Sequence, residues 1–223
     1  MFQEINKSLL IHLSSLWKYT FFENIVNIFV DFPIFFLPIF LVWAWMYYSY
    51  NTKIFNYYIK FTNLRSKSDI KSIKDQILTK IITKKQNLLL IFYWTILAIS
   101  ITLLVQQIIV IERPETVIEW VWKLLIKHLP DASFPSDHAT VSVAFLTWLF
   151  LAWYKKTWYI FLPLVILMNL SRVIAWIHWP FDIIVWVIIW IISSFVSFKV
   201  FKKSKFVKKL NQFIIKILSY IRL

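Results

Sequence analysis

Five apolar runs, each near the length of a membrane-crossing helix, constrain this chain more than any other feature: residues 21–50, 87–111, 138–154, 157–177 and 182–201. About 20 apolar residues in helical form cross a bilayer core, and lipid offers no partners for unpaired backbone groups. Residues that are 60% hydrophobic and 20% aromatic are also more apolar than a soluble domain of this length requires. The expected fold is therefore all-α: a polytopic membrane helical bundle of about five transmembrane helices, in a single domain over 1–223. Pro33 and Pro38 are expected to kink the first span or mark its start.

Amphipathic helices are expected at both termini. Phe2, Ile5, Leu9, Leu13 and Leu16 recur at helical spacing near the N-terminus, as do Phe206, Leu210, Phe213, Ile217 and Ile221 opposite several lysines in the tail 202–223. Ile70, Ile73, Ile77 and Ile81 predict a further surface helix within the basic loop 51–86. A basic stretch followed by a short apolar core and a cleavage site is not found at the N-terminus, so no removable signal peptide is expected. With no cysteine, disulfide frameworks and thiolate chemistry are excluded.

The formal charge of +14 invites a nucleic-acid reading, but its distribution argues for membrane orientation instead. With five spans, the loop 51–86, the turn at 155–156 and the region from 199 onward share one side and carry 19 of the 25 basic residues. The other side carries 9 of the 11 acidic residues. By the positive-inside rule the basic side is cytoplasmic and faces anionic lipid, in a cell membrane.

Three polar clusters stand at ends of the apolar runs, where such groups usually face a cavity or do chemistry. They are Arg113-Pro114, Phe134-Pro135-Ser136-Asp137-His138, and Ser171-Arg172 followed by His178 and Asp182. The topology brings all three to the extracytoplasmic side. The third and fourth spans form a hairpin, so His138 and His178 can meet across 40 residues of sequence. Arg113 and Arg172 supply planar, permanently charged forks suited to phosphate oxygens. Ser136 and the N-terminus of the third helix add neutral donors and a favourable dipole, or Ser136 or Asp137 caps that helix. Asp182 is placed to hold an imidazole tautomer. Such a set suits phosphoryl transfer. His12 and His128 are assigned no role.

These residues resemble the motifs of the type 2 phosphatidic acid phosphatase superfamily, with motif support over 106–182. The stretch 131–140 and His178-Trp179-Pro180-Phe181-Asp182 look most like the bacitracin-resistance branch of undecaprenyl-diphosphate phosphatases. The resemblance implies that His178 is a nucleophile forming a phosphohistidine, that Asp182 orients it, and that His138 protonates the leaving group. It implies that Arg113, Ser136, Ser171 and Arg172 bind the phosphoryl group, that no metal or other cofactor is required, and that the partner is a polyprenyl or other lipid phosphate rather than nucleic acid. Two alternatives stay open: another lipid phosphate, such as phosphatidylglycerophosphate or phosphatidate, or a non-enzymatic membrane binding or transport protein. The lysine of the first motif is here Gln106, whose amide donates a hydrogen bond without charge, so phosphate binding is expected to rest on the arginines.

Glycine is absent from the 223 residues while tryptophan occurs 13 times, against a usual glycine content of about 7%. Relatives resemble this chain with glycine where Trp120, Trp122, Trp176, Trp186 and Trp190 stand. Either these positions are encoded by UGA and read as glycine by the source organism, or the composition is simply unusual and the indoles anchor the interface.

Overall fold

The computed structural model describes residues 2–15, 20–61, 67–118 and 132–220. Its elements in chain order are α1 (Phe2–Ser14), α2 (Thr20–Phe29), a 3₁₀ turn (Phe32–Phe35), α3 (Phe36–Phe61), α4 (Lys67–Ile108), the short α5 (Pro114–Val117), α6 (Asp137–Leu151), α7 (Lys155–Ile174), α8 (Pro180–Lys203) and α9 (Lys205–Tyr220). Every regular element among the described residues is helical. Among the described residues, four helical stretches are long and apolar enough to cross a membrane: Glu23–Ile54, Lys74–Ile108, Lys155–Ile174 and Pro180–Lys203. The fifth apolar helix, α6, has only 15 residues, about 22 Å at helical rise. The chain is thus an all-α, multi-pass membrane protein.

Two compact units divide it, Met1–Leu37 with Trp94–Phe198, and Pro38–Tyr93 with Lys199–Leu223. In the first unit α6 and α7 form a hairpin, and α1 and α2 pack on α7. Val26 and Val30 of the α2 region meet Ala175 and Ile177 beyond α7 in a small apolar core. Ala139, Val143, Ala144, Phe145, Trp148 and Leu149 of α6 are all buried, as expected of a helix that is apolar all round. A run of aromatic contacts, Phe134–Trp186 (5.1 Å between centroids), Trp186–Trp190 (5.8 Å) and Trp190–Trp94 (5.7 Å), backs the start of α6. In the second unit, Lys85 sits 4.6 Å over the Trp45 ring. There α9 leaves Phe206, Phe213 and Ile217 exposed, the stripe expected of an interfacial helix.

Boundaries differ from the sequence reading in instructive places. The surface helix expected near 70–81 and the second span are one helix of 42 residues. No glycine or proline falls between Lys67 and Ile108 to stop it. The first span is broken at Val30 and Asp31 before the 3₁₀ turn, with Pro33 at that turn's start. On α1 the residues buried are Asn6, Leu10 and Ser14, one position past the apolar stripe, because α1 packs against α7. Pro180 opens α8, the helix position where a missing N–H costs least.

The hairpin helices end alike. After α6, Trp153 N–H donates to the Phe150 carbonyl and Tyr154 N–H to that of Leu149. After α7, Trp176 N–H donates to Val173 and Ile177 N–H to Arg172. Both are Schellman terminations, which require a left-handed residue just past the cap. Trp153 (φ 61°) and Trp176 (φ 64°) are those residues.

Candidate active site

The ends of α6 and α7 carry the site. Ser136 caps α6, its hydroxyl accepting from Ala139 N–H at 3.3 Å. That fixes the first turn, where His138 projects from a helix N-terminus. Nδ1 of His138 lies 2.9 Å from Asp137 Oδ1, and Nε2 lies 3.1 Å from Asp31 Oδ1. With a carboxylate at each ring nitrogen, this imidazole is placed to donate from both, which only the imidazolium does. Arg172, in the last turn of α7, is buried and ion-paired through Nη1 to the same Asp31 oxygen at 2.6 Å. Its Nε is buried without a hydrogen-bond partner.

His178 lies in the turn between α7 and α8. Its main-chain N–H and that of Ile177 both point at the Arg172 carbonyl, while Arg113 Nη1 donates to the Ile177 carbonyl at 3.1 Å. The side chain is buried, with Nδ1 2.6 Å from the main-chain carbonyl of Ser133. A carbonyl only accepts, so Nδ1 carries the proton. Nε2 is buried with no partner at all. Burial first, then the Arg172 and Arg113 charges, holds His178 well below the ordinary imidazole value. The ring is therefore neutral, with its Nε2 lone pair unoccupied.

Asp182, in the first turn of α8, does not reach His178. Its Oδ2 accepts from the Ser133 hydroxyl at 2.7 Å. Ser133 is thus a strut, with its carbonyl on the histidine, its hydroxyl on the aspartate and its own N–H on the Ile111 carbonyl at 2.7 Å. The direct His178–Asp182 pair expected from the sequence is not formed: the carboxylate is linked to the histidine only through Ser133, because the loop before α6 interposes its backbone. Gln106 is likewise structural, donating to the Pro135 carbonyl at 2.8 Å. Ser171 is buried beside Arg172.

All seven residues expected from the sequence lie in the first compact unit. Ion pairs join His138 and Arg172 through Asp31, and hydrogen bonds join His178, Asp182 and Arg113 through the loop and turn backbone. Two participants were not anticipated. Asp31 could have been found as an ionisable residue inside an apolar run. Ser133 acts largely through its backbone, which leaves no side-chain signature. Asp131, His128, Trp120 and Trp122 lie outside the described residues. Among the described residues, no cluster of three or more His, Cys, Asp or Glu side chains is placed to hold a metal ion.

Long apolar helices with arginines and histidines at or near their ends describe a multi-pass membrane protein. A model of the PAP2 superfamily matches residues 87–206, more than half of the 223 residues, and the chain belongs to that superfamily. The chain is also 33% identical over 88 residues to the bacitracin transport permease protein BcrC of Bacillus licheniformis, covering 39% of this chain and 42% of that relative. The match therefore spans less than half of the relative's length. No solved structure matches the chain.

Proposed function

We propose that this protein hydrolyses the terminal phosphate of a membrane lipid diphosphate, with undecaprenyl diphosphate as substrate, on the extracytoplasmic face. The observation that carries the reading is the buried, unpartnered Nε2 of His178, with the Nε of Arg172 likewise buried and unpartnered. A neutral imidazole whose Nδ1–H is held by a carbonyl is a nucleophile awaiting an electrophile. Nε2 attacks the terminal phosphorus and the bond to the bridging oxygen breaks. His138 gives its proton to the departing lipid phosphate, and then takes one from the water that opens the phosphohistidine. Arg172 and Arg113, with Ser136 and Ser171, hold the phosphoryl oxygens as negative charge builds on them. Asp182 steadies the Ser133 loop that sets the His178 tautomer.

Support for a lipid substrate comes from an apolar cleft of about 580 Å³ between α1, α6, α7 and α8. Val173 and Pro180, adjoining Arg172 and the His178 turn, are among its lining. Support for the polyprenyl class comes from the bacitracin-related relative and the 131–140 stretch. The charge asymmetry supports an outward-facing site.

The test is phosphate release from undecaprenyl diphosphate by the detergent-purified chain, with chelator present, beside His178→Ala. Chelator-resistant release and an acid-labile phosphoenzyme, both lost in the variant, are expected. Bacitracin-linked transport without a phosphoenzyme would instead favour the activity named for the relative.

A further inference from the structure

We propose that Asp31 is an internal anion of this site: its carboxylate occupies the place of a substrate phosphoryl oxygen between Arg172 and His138, and the incoming diphosphate displaces it. The inference rests on the phosphatase reading and assigns a role to a residue outside the motifs. Asp31 stands at the N-cap of the 3₁₀ turn, where an aspartate ordinarily accepts from the helix backbone, yet it makes no such cap bond. Instead one oxygen, Oδ1, meets both Arg172 Nη1 at 2.6 Å and His138 Nε2 at 3.1 Å. Those are the two donors that a phosphoryl group and its leaving oxygen need. Arg172 Nε is open to a phosphoryl oxygen as it stands, but Nη1 and the His138 Nε2–H cannot serve a carboxylate and a phosphate together, and like charges at contact repel. One of the two must leave.

Exposure decides which. The Arg172 side chain is 2% exposed and fixed, whereas that of Asp31 is 42% exposed and has room to swing away. The arrangement has two consequences. A buried guanidinium is never left unpaired between turnovers, which would be costly. Inorganic phosphate, the product, also meets a competitor already tethered in its site, so its release is favoured over its retention.

The test is calorimetric titration of inorganic phosphate into the full-length chain in detergent, with chelator, for the wild type and for Asp31→Asn, Asp31→Ser and Asp31→Glu. Binding about tenfold tighter or more is expected in Asn and Ser, with Glu close to wild type. Unchanged or weaker phosphate binding by folded neutral variants overturns the proposal while leaving the phosphatase reading intact. Should neither neutral variant fold, infrared difference spectra of the wild type and Asp31→Glu on adding phosphate take their place. A carboxylate band that shifts as the guanidinium pairing is lost supports displacement, and an unmoved band refutes it. A wild type that neither binds phosphate nor cleaves the lipid diphosphate overturns both readings.

A separate observation carries a second inference: positions 153 and 176 are glycine in the protein as its host makes it. Among the described residues the two with positive φ are both tryptophan, in a chain with no glycine. Both occupy the Schellman position that glycine fills by default, and a bulky residue there is an outlier. Trp153 is 70% exposed, so its indole adds nothing to the core. Trp186 and Trp190 are packed on α8, and the backbone is neutral about them. Peptide mass spectrometry of the protein from its natural host decides the matter. Glycine at both positions, with UGA codons, supports the inference; tryptophan at either, or UGG codons, sinks it. Recombinant chain carrying Trp153→Gly and Trp176→Gly is expected to melt higher than the unaltered one, and lower melting counts against the inference.

Discussion

The two histidines stand at neighbouring ends of one hairpin and are treated in opposite ways. His138 opens α6 with a carboxylate at each ring nitrogen and 16% of its side chain exposed. His178 follows α7 in full burial, held by a neutral carbonyl on one nitrogen and by nothing on the other. The first setting stabilises an imidazolium, and the second excludes one. On the proposed reading, a single residue type is thereby divided into a proton donor and a nucleophile by partners and burial alone.

The sharpest way to break this comparison is to remove the nucleophile. His178→Ala is expected to lower lipid-diphosphate hydrolysis by on the order of 10⁴-fold or more and to abolish the phosphoenzyme; a labelled phosphoenzyme in that variant would reassign the attack. His138→Ala is expected to cost about 10³-fold. The loss should shrink for a lipid substrate with a better leaving group, which needs no proton, and an equal loss for both substrates would deny His138 the acid role. Arg172→Lys keeps the charge but loses the fork, and a fall of about 10²-fold in turnover is expected. Full activity there would mean that charge alone suffices.

Smaller effects sharpen the picture. Ser133→Ala removes the bond to Asp182 but keeps the carbonyl on His178, so a loss of about tenfold is expected. Asp182→Asn should fall in the same range, and a double variant no worse than either single one would place both on one path. The pH dependence follows from the depressed value of His178. The folded chain binds fewer protons than the unfolded one as pH falls below the ordinary imidazole value, about 6.5. The contribution of His178 to stability, read as the difference between wild type and His178→Ala, is therefore expected to decline on acidification through that range and to recover above it. Single-turnover phosphoenzyme formation should persist through the same drop, because the ring stays neutral. A phosphorylation step titrating near 6.5 would contradict the burial argument.

The sequence was a good guide wherever a side chain had one job. Apolar runs located the spans, Pro180 located the start of α8, and spacing picked out residues that the fold gathers in one unit. It was a poor guide where a backbone group intervened. His178 and Asp182 are four apart in sequence and invite a direct pair, but the turn that makes room for Pro180 separates them and admits Ser133. Periodicity misplaced the packed face of α1 because Asn6, which reads as polar, bonds the Phe181 N–H at 3.2 Å. Helix length was misjudged at α4 because charge marks an interface without marking a helix end. Asp31 escaped notice because its partners are more than a hundred residues away in the chain.

The Ser133 carbonyl has an implication for how such a site is inherited. An oxygen that belongs to the peptide bond survives every substitution at its position, so evolution can change the residue while the contact to the imidazole persists. Catalogues of invariant side chains pass over it. The contact answers instead to chemistry of the main chain: an ester in place of the amide between residues 133 and 134 would weaken the acceptor and leave every side chain as it is.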